Sequence, residues 1–261
     1  MHHSLSRAVA AVWALVTIAA ANAQDRETIA AAQREGSVTI YAGFPNAALH
    51  ALMPASFRAK YGIRVDLLSL RSSELNERIC TEQAAGRFLG DVLLQGESST
   101  MLHIAAGRME PVGALSNVDR LLPQYDRADP TRVPAFVGAY AVMVNTNLVT
   151  PQQEPKTWLD LLDPKWNGKT LIDDPRAAGG GGAFFQAVSI LHTDDFHMRL
   201  ARNAPTFTRD PGAAERRVAR GEYAIWLPAM IASMQGLQGL PVRFLAPEAA
   251  VPSIRMDLTR L

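Results

Sequence analysis

The chain has 261 residues, with 26 basic against 25 acidic side chains, a net charge of +1 and one cysteine, Cys80. That balance gives no electropositive footprint for nucleic acid or an anionic membrane, and a lone cysteine excludes a disulfide within the chain. A chain of this size buries one full core, or two smaller ones, without covalent staples.

The N-terminus reads "MHHSLSRAVAAVWALVTIAAANAQDRE". Arg7 precedes an apolar run from Ala8 to Ala21, and Ala21-Asn22-Ala23 is a small-x-small cleavage site. This is the layout of a secretory signal peptide, and the run is too short to span a bilayer. Residues 1–23 are therefore read as a leader removed near Ala23, which places the mature chain in the periplasm. Cys80 lies far from that site, so it is no lipid-bearing first residue; its neighbours put it on a helix face as a small packing group.

Apolar, β-branched runs then alternate with helical patterns. "SVTIYAG" (37–43) predicts a first strand, and "LHALMPASFRAKYG" a helix that Pro54 should kink or restart. "IRVDLLS" (63–69) is a second strand, with Ser72 or Ser73 able to cap the helix that follows. "DVLLQG" (91–96) is a third strand, backed by a helix through "SSTMLHIAAGRM". Strand, crossover and strand in this order call for an α/β fold with an open, parallel sheet and helices on both faces.

A looser, proline-bearing stretch runs to Phe136, and "VGAYAVMVNTNLV" (137–149) predicts a long strand. Thr157 caps the short helix "WLDLL". A second α/β set follows, with strand "TLID", helices "GGAFFQAVSIL" and "DDFHMRLARN", and a helix opened by Asp210 and Pro211 and stopped by Gly221. "YAIWL" (223–227), "PVRFLAP" (241–247) and "SIRMDLTRL" complete the strands. Two α/β sets joined by one long strand predict two lobes with a hinge: 24–138 plus a return strand at about 250–261, and 139–249. In such sheets ligands bind beyond the carboxyl ends of the strands.

Several catalytic motifs are absent. "NGKT" (167–170) lacks the glycine that a phosphate-binding loop needs, since that position is Asp163. The glycine run 179–182 fails the dinucleotide fingerprint, because the third glycine would fall at Phe184. His192 and His197 are five apart, outside the spacing that sets two ligands together on a helix, and Asp194 between them reads as a helix cap. No G-x-S-x-G and no S-x-x-K occurs. No catalytic residue, metal ligand or cofactor is assigned.

The strand ends carry the candidate solute-binding residues. In the first lobe these are Phe44, Asn46, Arg71, Ser72, Glu97, Ser98 and Ser99. Arg71 and the serines lie at predicted helix starts, where a carboxylate or phosphate is welcome. In the second lobe they are Arg176, with Arg209 by the same logic, Gly180, Gly181 and Gly182, whose bare backbone suits close approach to an anion. Trp226 is either a stacking surface in the cleft or a buried aromatic.

The order of these motifs resembles that of extracellular solute-binding proteins of bacterial ABC importers. "GSVTIYAGFPNAALHALMPASFRAKYGIRVDLLSLRSSELNERI" and "GDVLLQGESSTMLHIAAGRMEPV" are similar to the family's first lobe. "AYAVMVNTNLVTPQQEPKTWLDLLDPKWNGKTLIDDP" resembles its crossing strand, asparagine-threonine turn and "DPKW" turn, and "GAAERRVARGEYAI" its helix–glycine–strand. The resemblance implies a two-lobe, type II-like periplasmic-binding fold, each lobe a mixed sheet flanked by helices and joined by hinge strands. It implies capture without catalysis of a small solute, passed by a monomer to a permease in the inner membrane. Ferric binders of the family carry adjacent tyrosines where this chain has Trp226, Leu227, Pro228, Ala229 and Met230, which argues against their metal site here. The family usually continues beyond the strand matching "SIRMDLTRL" with helices against the first lobe and hinge, so part of the core is expected to be exposed in a chain stopping at Leu261. Three arginines and several hydroxyls at helix starts favour an anionic or organic-acid-like solute. The competing readings are a ferric receptor with a non-tyrosine site, a periplasmic hydrolase or transferase, and a truncated inactive product.

Overall fold

Runs of β-branched and apolar residues bounded by glycine and serine become strands in the computed structural model of the chain, which describes residues 26–44, 47–113, 115, 121, 129–247 and 251–261. The leader and its cleavage site lie outside these residues. A helix over 26–35 (α1) leads into β1 (Ser37–Ala42), α2 (Ala47–Tyr61), β2 (Arg64–Ser69), α3 (Ser72–Ala84), β3 (Val92–Gly96) and α4 (Glu97–Ala105). β1 pairs in parallel with both β2 and β3, as strand–helix–strand connectivity requires. Pro54 lies inside α2 without ending it, so the helix does not restart there; the ring removes its own N–H, and the turns on either side carry the helix through.

β4 (Arg132–Asn145) begins earlier than the sequence predicts, within the stretch read as loose. Proline there is compatible with a strand because the register against β9 (Ser253–Arg260) shifts between Pro134 and Phe136, and a bulge absorbs the missing donor. From Arg132 to Ala139 this strand pairs antiparallel with β9; from Tyr140 onward it pairs with β7 (Ile225–Met230) and β8 (Val242–Leu245). One continuous strand thus serves both halves of the molecule. β9 returns to the first half and lies antiparallel between β3 and β4. The remaining elements are β5 (Thr170–Asp173), α5 (Gly180–His192), α6 (Asp195–Arg202), β6 (Thr206–Thr208) and α7 (Pro211–Ala219). The sheet path is β2-β1-β3-β9-β4-β7-β5-β6, with β8 on β4. It is mixed, not purely parallel, because β4 and β9 run against their neighbours.

The two-residue period of a strand divides the second core between two faces. Val142 and Val144 of β4 and Ile225 and Leu227 of β7 pack with Trp158, Trp166, Phe184 and Phe196 on one side. Met143 and Trp226 face the other side, against Ala214 and Val218 of α7. A separate cluster of Tyr41, Leu75, Ile79, Leu93 and Met109 fills the first half.

Helix starts follow the sequence unevenly. Thr157 Oγ1 accepts from the Asp160 N–H at 3.2 Å, and the short helix is the 3₁₀ turn Leu159–Leu162. Asp194 precedes α6 but makes no side-chain cap bond; its backbone is already helical, which points the carboxylate away from the free N–H groups. Asp210 does cap α7, its Oδ1 accepting from the Ala213 N–H at 2.8 Å ahead of Pro211. Asp210→Ala is expected to cost about 1 kcal/mol, seen as a fall in melting temperature of roughly 2–4 °C. An unchanged melt would show that α7 is held by packing alone.

Candidate functional site

Between the two halves, where β4 passes from one to the other, lies a cavity of about 670 Å³, within the size range of small-molecule sites. Its first-half wall includes Phe44, Arg71, Ser72 and Ile254, and its second-half wall includes Gly180, Trp226, Met230 and Glu215. Of the residues singled out from sequence, Phe44, Arg71, Ser72, Gly180 and Trp226 therefore meet at one place.

Arg71 stands just before α3 and crosses the cleft. Its Nη2 is 2.7 Å from Asp173 Oδ1, at the end of β5, and its Nη1 donates to the Arg209 carbonyl at 3.0 Å. Both side chains of the pair are buried, with 8% and 2% exposure. Ser72, expected as a possible cap, is instead the first residue of α3 and donates its hydroxyl to the Gly43 carbonyl at 2.8 Å.

The glycine run opens α5 as predicted, but its anion is internal. The Gly181 N–H donates to Asp173 Oδ2 at 2.6 Å, so one carboxylate bridges a helix N-terminus and a guanidinium, the two features read from sequence as places for a solute anion. Gly181 fits because a Cβ there would lie 2.4 Å from the Asp173 carbonyl oxygen, and Gly179 adopts φ +145° beside the Arg71 guanidinium. Burial raises the Asp173 pKa above its ordinary value, with Arg71 and the Gly181 N–H acting in the opposite direction. Burial likewise raises that of Tyr140, which lines the same cavity, and the Asp173 charge adds to it.

The other candidate residues are engaged elsewhere. Arg176 Nε and Nη2 bind Asp174 at 2.8 and 3.0 Å, Arg209 Nε binds the same carboxylate at 2.9 Å, and both arginine side chains are exposed. The hydrogen bonds from Arg176 foremost, then those from Arg209, hold the Asp174 carboxyl far below the usual carboxylate range. Glu97 joins Arg132, Asp257 and Arg255 in an ion cluster beside the crossing strand, at 2.9 Å from Arg132. Ser98 is exposed and Ser99 buried in α4; these residues, Gly181 and Gly182 stand outside the cavity wall. Asn46 lies outside the described residues. His197 stacks on Phe185 and bonds its carbonyl at 3.0 Å, a packing role. Among the described residues no three His, Cys, Asp or Glu side chains are arranged to hold a metal ion, and no helix is long and apolar enough to cross a membrane.

Two donors of residues that line the cavity are buried with neither a hydrogen bond nor an ion pair, whereas Arg71 Nη2 has its ion pair with Asp173. These are Arg71 Nε and Trp226 Nε1, on residues 7% and 1% exposed. A buried N–H left unpaired costs about 1–3 kcal/mol, and both atoms are shut off from solvent in the chain as it stands. Trp226 is thus a buried aromatic and a cavity residue at once.

Sequence reasoning missed Asp173, Tyr140 and Glu215. A signal for Asp173 was present, because "DDPR" sets two carboxylates ahead of the glycine run and within its reach. Glu215 was legible from α7 itself: Gly212, Glu215 and Arg216 share one helical face and line the cavity, while Ala214 and Val218 turn to the core.

The comparisons with known proteins agree with this architecture. An uncharacterised protein of Haemophilus influenzae is 24% identical over 206 residues, covering 74% of this chain and 58% of that protein. Iron uptake protein A1 of Synechocystis is 32% identical over 120 residues, 45% of this chain and 32% of its own length. The chain thus spans less than two thirds of either relative. The periplasmic binding protein AfuA from Actinobacillus pleuropneumoniae, solved with fructose-6-phosphate bound, superposes with a TM-score of 0.74 at 20% identity, covering 87% of this chain and 74% of AfuA. The family model for bacterial extracellular solute-binding proteins matches residues 38–259, from the first strand through the return strand that closes the cleft; the chain belongs to that family.

Proposed function

We propose that the chain is the exported solute-binding component of an ABC importer: it is cleaved near Ala23, captures a small solute between lobes 24–138 with 250–261 and 139–249, and passes it to a membrane permease. The mechanism is capture, not catalysis. The observation that carries this reading is the pair of buried, unpartnered donors, Arg71 Nε and Trp226 Nε1, on the wall of one cavity between the two halves. They support a solute with an acceptor group, for which a carboxylate or another acid oxygen is the strongest partner. The preference for an acidic solute therefore rests on these two donors; Arg176 and Arg209 share the Asp174 carboxylate and stand outside the cavity wall. Met230, Leu237, Ile254 and Met256 on the same wall suit an apolar body.

The test is a panel of small organic acids assayed by melting temperature and calorimetry. At least one acid is expected to raise the melting temperature. Trp226→Phe removes the orphan N–H together with part of the buried indole, so it should weaken that acid by roughly tenfold, one hydrogen bond to a charged group, and lower the melting temperature of the empty protein through lost packing. Tight binding of Fe³⁺ with no response to any acid would favour an iron receptor, the reading suggested by the name of the Synechocystis relative, iron uptake protein A1. Chemical turnover of a bound compound would overturn capture.

A further inference from the structure

The two orphan donors explain one end of the cavity. On the Trp226 side of the same cavity, α7 and the 3₁₀ segment Ile231–Leu237 bring Glu215 and Ser233 into the lining. The Glu215 carboxyl is part-buried, bonds the Ser233 hydroxyl and feels the neighbouring Arg216 only through space. Burial raises its pKa, while Ser233 and Arg216 act in the opposite direction. The charge of the whole wall points the same way. Arg71 and Arg216 face Asp173, Asp210 and Glu215; Asp173 is consumed by Arg71 and the Gly181 N–H, and Asp210 by its helix cap. Glu215 is the carboxylate left without a bonded cation, on a wall that also carries Met230, Leu237 and Leu240. A carboxylate drawn out of water without a counter-ion is costly, and a cation brought by the solute offsets that cost.

We propose that the solute is zwitterionic: an acid group accepts from Arg71 Nε and Trp226 Nε1, a carbon chain lies on the apolar wall, and an ammonium group pairs with Glu215. This rests on the reading of the cavity as the solute site and specifies its chemistry. An acid without the amine would satisfy the donors and leave Glu215 uncompensated, so the site discriminates by charge at both ends.

Calorimetry on the full chain tests this with straight-chain ω-amino acids of graded length, each beside the acid lacking the amine and the amine lacking the acid. One amino acid is expected to bind at least about tenfold tighter than its matched acid, a full decade of affinity. Glu215→Gln, which keeps the shape and the Ser233 contact, should erase that advantage by weakening the amino acid and leaving the acid unchanged. Glu215→Asp, which keeps the charge, should retain part of it, and melting curves verify that both variants fold. If the acid binds as tightly as the amino acid and Glu215→Gln moves neither, the zwitterion proposal fails, while weakening by Trp226→Phe would keep the acid-binding reading intact. If the amine alone binds best and Trp226→Phe has no effect, both fail. No binding by any member of the series overturns the proposal.

Discussion

Arg71→Met is expected to lower the melting temperature at neutral pH by roughly 10 °C, because removing one partner of a buried ion pair costs about 3–5 kcal/mol and each kcal/mol moves a domain of this size by about 2–4 °C. The pair joins the two halves of the molecule at 2.7 Å, and its loss leaves Asp173, 2% exposed, with the Gly181 N–H as its remaining close donor. The effect has a pH signature. Burial already raises the Asp173 pKa above 3.8, and Arg71 is the largest influence opposing that shift; without Arg71 it rises further. A carboxyl whose folded pKa is raised contributes its stability fully below the unfolded value and loses it as pH climbs through the folded one. The deficit of Arg71→Met should therefore be largest at neutral pH and shrink as the medium is acidified toward the carboxylate range. Adding Asp173→Asn to Arg71→Met removes the stranded charge and should recover most of the loss at neutral pH. A deficit independent of pH, or one that Asp173→Asn leaves untouched, would show that Arg71 acts through packing of its stem.

Much of this architecture was legible in the sequence because its determinants are local. Strands β1, β2, β3 and β5 are short apolar runs closed by polar or small residues, and α7 carries its own cap, Asp210, and first-turn proline. The start of β4 was not legible, because Pro134 argues against a strand unless the partner's register is known to shift there. At the site, the strand ends and the approximate helix starts were legible, but not the caps of every helix nor the allocation of charge among them. Arg71, Arg176 and Arg209 looked equivalent as anion receptors. In the folded chain Asp174 takes Arg176 locally and Arg209 from 35 residues away, and Asp173 takes Arg71 across 102 residues; the last two contacts are set by tertiary approach. Trp226 shows the same limit: its place in a strand was legible, while its burial and the orphaned state of its N–H depend on what α7 and the crossing strand bring near it.

The second large effect is expected at Gly181. Substituting valine places a Cβ 2.4 Å from the Asp173 carbonyl oxygen and 2.8 Å from its carbon, with the Asp174 carbonyl carbon at 2.9 Å. All three are backbone atoms, so no rotamer change relieves the overlap, and the start of α5 must move away from the end of β5. That displacement stretches the 2.6 Å bond from the Gly181 N–H to Asp173 and withdraws the carboxylate from Arg71. The overpacking alone costs about 1–3 kcal/mol, and the weakened contacts of a buried carboxylate add to it. Gly181→Val should therefore lower the melting temperature by roughly 5–15 °C at about 2–4 °C per kcal/mol. Gly182→Ala, where the nearest heavy atoms to a Cβ are two carbonyl oxygens at 3.5 Å, should be close to neutral or stabilising, since alanine favours a helix. A run acting as a mobile loop predicts small, similar effects at both positions. A steep loss at Gly181 beside a neutral Gly182 identifies the run as a close-packed joint that holds Asp173 at the cleft, and places its contribution to solute capture in the positioning of Asp173 and Arg71.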